Sequence, residues 1–152
     1  MQLWTFLHIL SMFLGVMVTA GGALFAAWSI RRRDLDALRV YFRMRPRIDS
    51  GGGLFLLAGI VFGFIAAVTI GWDLFSLWLI LAYVFVVLIA IVGGAMAPYL
   101  TRVGEALEAR DVSGSDEELE RLLGYPNALV GAAVLLFLIG FIIWDMTFKP
   151  TF

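Results

Sequence analysis

The groups that could do chemistry in this chain are few: one histidine, no cysteine, and carboxylates that cluster away from the apolar stretches. His8 stands in a charge-free run, ~8 Å inside a helix that begins near Leu3. An ionisable side chain in such a run is costly to hold there and raises a functional question. Asp73 and Asp145 each follow a tryptophan and fall at the same end of the molecule as His8. The three form a candidate polar cluster in which a carboxylate orients or charges the imidazole. Two readings of His8 stand side by side. One is a neutral imidazole hydrogen-bonded to a hydroxyl or carbonyl of a neighbouring helix. The other is an axial ligand to haem b, with small residues such as Gly15 giving room. Met12, one turn along, cannot reach the opposite haem face, so a second ligand would come from His8 of another copy or a methionine on another helix. Met12 and Met17 beside His8 are soft ligands for copper or, more simply, apolar filler. Asp73 and Asp145 read as interfacial capping carboxylates, or as cation or proton acceptors at the mouth of a path. No hydrolytic or metal triad can be assembled, and Gly51-Gly52-Gly53 lacks the lysine of a phosphate loop.

These residues are positioned by helices. The chain has 152 residues, 62% hydrophobic and 15% charged, and its charge-free runs predict four spans at 3–30, 51–71, 74–98 and 127–145. In the first, His8, Ser11, Gly15, Thr19, Gly22, Ala26 and Ser29 make one small or polar stripe. Phe6, Leu10, Phe13, Met17, Leu24 and Trp28 point away from it. Small residues let helices approach closely in lipid. The expected packing positions are therefore Ser11, Gly15, Thr19 and Gly22, with Gly59 and Gly63 on the second helix and Gly94 on the third. The first helix is expected to continue through 31–42 until Pro46 stops it, with Asp49-Ser50 capping the second. The third should extend to about Arg110. A capping box at Ser115 and Glu118 should open a short surface helix ended by Gly124, and Pro126-Asn127 should start the fourth span. That last span is expected to be the most lipid-exposed or to meet another subunit. Residues 146–152 read as a short external tail.

Ten of the eleven basic residues lie in segments 31–47 and 102–121. The positive-inside rule places both in the cytoplasm and both termini outside, in a bacterial inner membrane. A gapless shift of 72 residues superposes Gly21-Gly22-Ala23 on Gly93-Gly94-Ala95, Leu35-Asp36-Ala37 on Leu107-Glu108-Ala109, and Trp72-Asp73 on Trp144-Asp145. It also pairs Gly52 with Gly124 and Gly59 with Gly131. This predicts two tandem helical hairpins, 1–73 and 74–145, with a pseudo-twofold axis along the membrane normal. Segment 31–50 has seven Arg and three Asp, net +4, while segment 99–126 has three Arg and seven acids, net −4. The two are expected to face each other across the symmetry, with Glu105, Glu108, Glu117 and Glu118 as the acidic side; solvated faces and arginines on anionic lipid are the alternative.

Leu7-His8-Ile9-Leu10, followed by Gly15 and Gly21-Gly22, resembles the opening of a domain-of-unknown-function family of small bacterial integral membrane proteins. More distantly it is similar to the four-helix families of copper-resistance protein D and the haem-linked protoporphyrinogen oxidase of bacteria. Those carry further intramembrane polar residues that this chain lacks, so the resemblance implies a fold and a question about His8. The expectation is an all-α membrane protein of four transmembrane helices in one domain. It would serve as a non-catalytic accessory or structural subunit of a membrane complex or homo-oligomer, in contact with the lipid bilayer and with no nucleic-acid partner. A haem b redox protein using His8 is the first alternative, and a small transporter or channel the second.

Overall fold

The computed structural model describes residues 2–149, apart from the side chain of Ser113. Five helices follow in order: α1 (Gln2–Arg32), α2 (Leu35–Ile70), α3 (Leu77–Ser113), α4 (Glu117–Leu123) and α5 (Asn127–Phe148). There are no strands among the described residues. α1, α2, α3 and the α4–α5 stretch are each long and apolar enough to cross a membrane.

α1 buries the stripe its sequence predicts. Ser11, Gly15, Gly22, Ala26 and Ser29 are buried, and Phe6, Leu10, Phe13, Met17, Leu24 and Trp28 are exposed. The stripe packs along α2, α3 packs along α5, and α1 bridges the two hairpins through α5. α2 and α3 meet at the arginine-rich end, where Phe42 lies against Gly104. At that end a shared core forms from Ala27 and Ile30 of α1, Leu38 of α2, Val103 and Leu107 of α3, the α4 leucines, and Ala128 of α5. α4 is thus an apolar plug: Leu119, Leu122 and Leu123 are buried while its glutamates stay in water.

The first hairpin turns earlier than expected. α1 stops at Arg32, Arg33 takes a left-handed φ of +53°, and Asp34 caps α2 by accepting from the Ala37 N–H at 3.0 Å. Leu35, Leu38 and Phe42 are helical as their spacing predicts, but they belong to α2, which runs straight through Pro46. The capping signal of Asp34, Leu38 buried to 0% exposure and Tyr41 to 4% hold this stretch helical despite the missing amide. Asp49-Ser50 therefore caps nothing; Ser50 donates back to the Pro46 carbonyl at 2.7 Å. The capping box at Ser115 and Glu118 does not form either: Asp116 is the residue ahead of α4 and makes no side-chain cap. Gly124 and Pro126 do end α4 and open α5.

Two further expectations are corrected. Gly94 packs against no helix of this chain: it is exposed, and a Cβ there would meet nothing within 4 Å among the described residues. α3 packs with its large side chains instead, putting Met96 against Gly131 and Phe85 flat on Phe141 with centroids 4.2 Å apart. For the same reason α3 is the most exposed span, with 11% of its apolar window buried against 22% for the α4–α5 stretch. Of the expected external tail, residues 146–148 are the last turn of α5, and 150–152 lie outside the described residues.

Candidate functional site

His8 is held at the α1–α2 interface by two glycines of α2. Its Nδ1 lies 2.7 Å from the Gly59 carbonyl oxygen. The ring occupies the space a side chain on Gly63 would need, since a Cβ there would fall 2.6 Å from Nδ1 and 2.8 Å from Cε1. A carbonyl can only accept, so Nδ1 carries the proton and donates. That leaves the lone pair on Nε2. One turn on, Met12 fills the notch at Gly59; further along, Leu56 fills that at Gly15, and Thr19 crosses Gly52. Gly22 receives Ile48. Five of the expected packing glycines and hydroxyls therefore lie in one continuous seam, with Ser11 buried beside them.

The predicted polar cluster is not connected. His8 is bonded to Gly59, Asp73 accepts from the Phe75 N–H at 2.9 Å in the α2–α3 turn, and Asp145 has no hydrogen-bond partner on either side-chain oxygen among the described residues. Asp73 thus braces the turn and caps neither helix: α2 ends at Gly71, and Ser76 precedes α3 without a side-chain cap. Asp145 lies in the last turn of α5, but it is 0% exposed, on the face of that helix that also buries Ala128, Gly131, Ala132 and Leu138. Met17 is exposed on the far side of α1 from His8, so the two are not a ligand pair. Thr19 and Thr69 donate to Gly15 and Ile65 one turn back, which occupies both hydroxyls within their own helices; Thr69 is at the end of α2 and not mid-span. Among the described residues no three histidines and carboxylates gather as a metal site.

Sequence reasoning missed two features. The Lys149 ammonium lies 4.1 Å from the Trp72 ring centroid and 5.2 Å from that of Trp78, which meet edge to face. A lysine four residues past Trp-Asp gives no spacing signal for this contact, because the rings lie more than 70 residues away, in the α2–α3 turn and the first turn of α3. The second is a cleft of about 420 Å³ between α3, α4 and α5, lined by Pro98, Tyr99, Arg102, Arg121, Tyr125 and Asn127, among others.

The expected opposition of charged segments takes a definite form. Arg39 of α2 grips both oxygens of Asp111 on α3, at 3.0 and 2.6 Å, and Arg33 pairs with Glu120 of α4. The acidic partners differ from those expected: Glu118 turns to Arg121 within its own helix, and Glu105, Glu108 and Glu117 reach no arginine of the first segment. The Arg39 guanidinium holds the Asp111 carboxyl below its ordinary range, chiefly by this hydrogen bond, and Asp111 raises Arg39 in turn. Both lie past the charge-free runs, outside the spans.

Fold and seam together define a class: a small helical protein with four candidate membrane spans, its charge gathered at one end. No protein-family model, curated protein or solved structure matches the chain.

Proposed function

We propose that this chain is a multi-pass inner-membrane protein that works by assembly, as a non-catalytic accessory or structural subunit of a membrane complex or a homo-oligomer. The observation that carries this reading is the open face of α3. Ala90 and Gly94, four residues apart, are exposed, and neither Gly93 nor Gly94 has a neighbour within 4 Å of where a Cβ would be. Small residues on a lipid-facing surface contribute nothing to contact with acyl chains, but they let a second helix approach closely. The arginine-rich end faces the cytoplasm and both termini lie outside. The two hairpins, α1–α2 and α3–α5, are read as copies about the membrane normal; Gly59 and Gly131, 72 residues apart, each take a methionine from the facing helix, which supports this for the second helices.

Native mass spectrometry from a mild detergent tests the reading. The chain should leave the membrane as an oligomer or with companion subunits, and Gly94→Leu should release it as a monomer. Monomers from both proteins would reject it. Haem b at His8 remains the second reading, favoured by the proton on Nδ1, which leaves Nε2 as the ligating atom. The seam supplies one imidazole and packs its ring against Gly63. A visible absorption band in purified protein that disappears in His8→Ala is the outcome this reading requires.

A further inference from the structure

The cleft at the arginine-rich end has a chemistry that the assembly reading does not use. Its volume, about 420 Å³, falls among small-ligand sites of about 300–1,000 Å³. Three elements bring donors to it. Arg102 comes from α3 and makes no ion pair among the described residues. Arg121 comes from α4 and gives one nitrogen to Glu118, which leaves most of its five N–H donors unused. Tyr125 adds an exposed phenol. Asn127 opens α5, whose first turn has no side-chain cap, so its leading amides have no protein acceptor from one. Tyr99 forms the floor, tied by its hydroxyl to the Leu122 carbonyl at 3.0 Å. No acidic side chain lines the cleft.

Depth then narrows the ligand. Arg102 is the first charge after the apolar run of α3, and Arg121 the last before that of α5. The cleft thus straddles the level where both helices pass from water into lipid, with Pro98 forming a wall on the apolar side. We propose that it binds the phosphate of an anionic lipid headgroup, with the Arg102 and Arg121 guanidiniums as the main donors and Tyr125 and the first turn of α5 completing the shell. This rests on the membrane part of the reading above and is independent of assembly.

The chain is placed in nanodiscs of equal parts phosphatidylglycerol and phosphatidylcholine, and retained lipids are counted by native mass spectrometry. Wild type should keep phosphatidylglycerol in excess. Arg102→Gln should cut that excess about fivefold, and Arg102→Gln with Arg121→Gln should bring it to the bulk ratio. Arg43→Gln, an exposed arginine at the same end but outside the cleft, should leave it unchanged. Arg102 has no ion pair to lose, so the single variant reports on binding even where the double variant folds poorly. No excess in wild type, or an excess untouched by Arg102→Gln, overturns the proposal. So does inorganic phosphate displacing the lipid, or raising the melting temperature of lipid-free wild type but not Arg102→Gln, because the site then serves a soluble phosphate. Failure of the wild type to enter discs at all would instead refute membrane insertion.

Discussion

His8 shows how little one side chain says until its neighbours are known. Its place on the packing stripe was legible from the sequence, because a helix of period 3.6 puts it there with Ser11 and Gly15; in the structure it is half-buried. Its partner was not, because a main-chain carbonyl has no residue signature. The seam around it makes a contrast that can be measured. A methyl group on Gly15 would stand 2.8 Å from Leu56 Cδ2 and 2.9 Å from the Leu56 main-chain nitrogen, which cannot rotate away. Gly15→Ala should therefore cost about 1–3 kcal/mol as the helices are pushed apart. Gly21, one of a pair with Gly22, has nothing within 4 Å. Gly21→Ala should leave the thermal melt in detergent unchanged or raise it slightly, since alanine is the better helix former. Losing the bond from His8 to Gly59 belongs to the same comparison: His8→Leu should cost on the order of 0.6–1.7 kcal/mol, the range of hydrogen bonds between membrane helices.

Between helices, the first turn was misplaced because two local rules competed. Pro46 reads as a stop and Asp34 as a start, and in a chain of this polarity both readings are admissible. The reversal at Arg33-Asp34 decides: it turns Leu38 back, as part of α2, into the core that α1, α3, α4 and α5 share, where it is fully buried. If that account is right, Asp34→Ala should lower stability by about 1 kcal/mol through the lost cap. Arg33→Gly should melt higher than Arg33→Ala, because both lose the pair with Glu120 and only glycine adopts the φ of +53° freely. Had the helix begun at Asp49-Ser50 instead, neither effect would register in the melt. The 72-residue shift was informative for the second helix of each hairpin only. The second helices match at a shift of 72, as Gly59 and Gly131 each accept a methionine. The first helices do not: Met12 and Met96 are 84 apart, and the Arg33-Asp34 turn shifts onto Glu105-Ala106 inside α3. Gly94 was assigned to a packing face by its small size, which does not say whether the partner helix lies within the chain.

Across the whole molecule, the opposite net charges of the two segments predicted a meeting of hairpins, and the geometry narrows it to Arg39–Asp111 and Arg33–Glu120. Composition could not choose these partners, since ten acidic and basic side chains in each segment offer many pairings of equal merit on paper. Packing of α2 on α3 near Phe42 and Gly104 selects the register, and the register selects the pair. A charge swap separates this from a merely solvated surface. Arg39→Asp alone and Asp111→Arg alone should each lower the melting temperature, more at low salt than at high salt, and the two together should recover most of the loss. Acid should act on the same contact. The Asp111 carboxyl sits lower in the folded protein than its ordinary 3.8, so its contribution is complete above that value. It is lost as pH falls below 3.8 through the folded value, where the carboxylate takes a proton and Arg39 loses its acceptor. Wild type should therefore lose stability over that acid interval more steeply than Asp111→Asn, which has no charge to lose there. Parallel acid profiles for the two proteins, with no recovery in the swapped pair, would mean that the apolar core around Leu38 and Val103 joins the hairpins unaided.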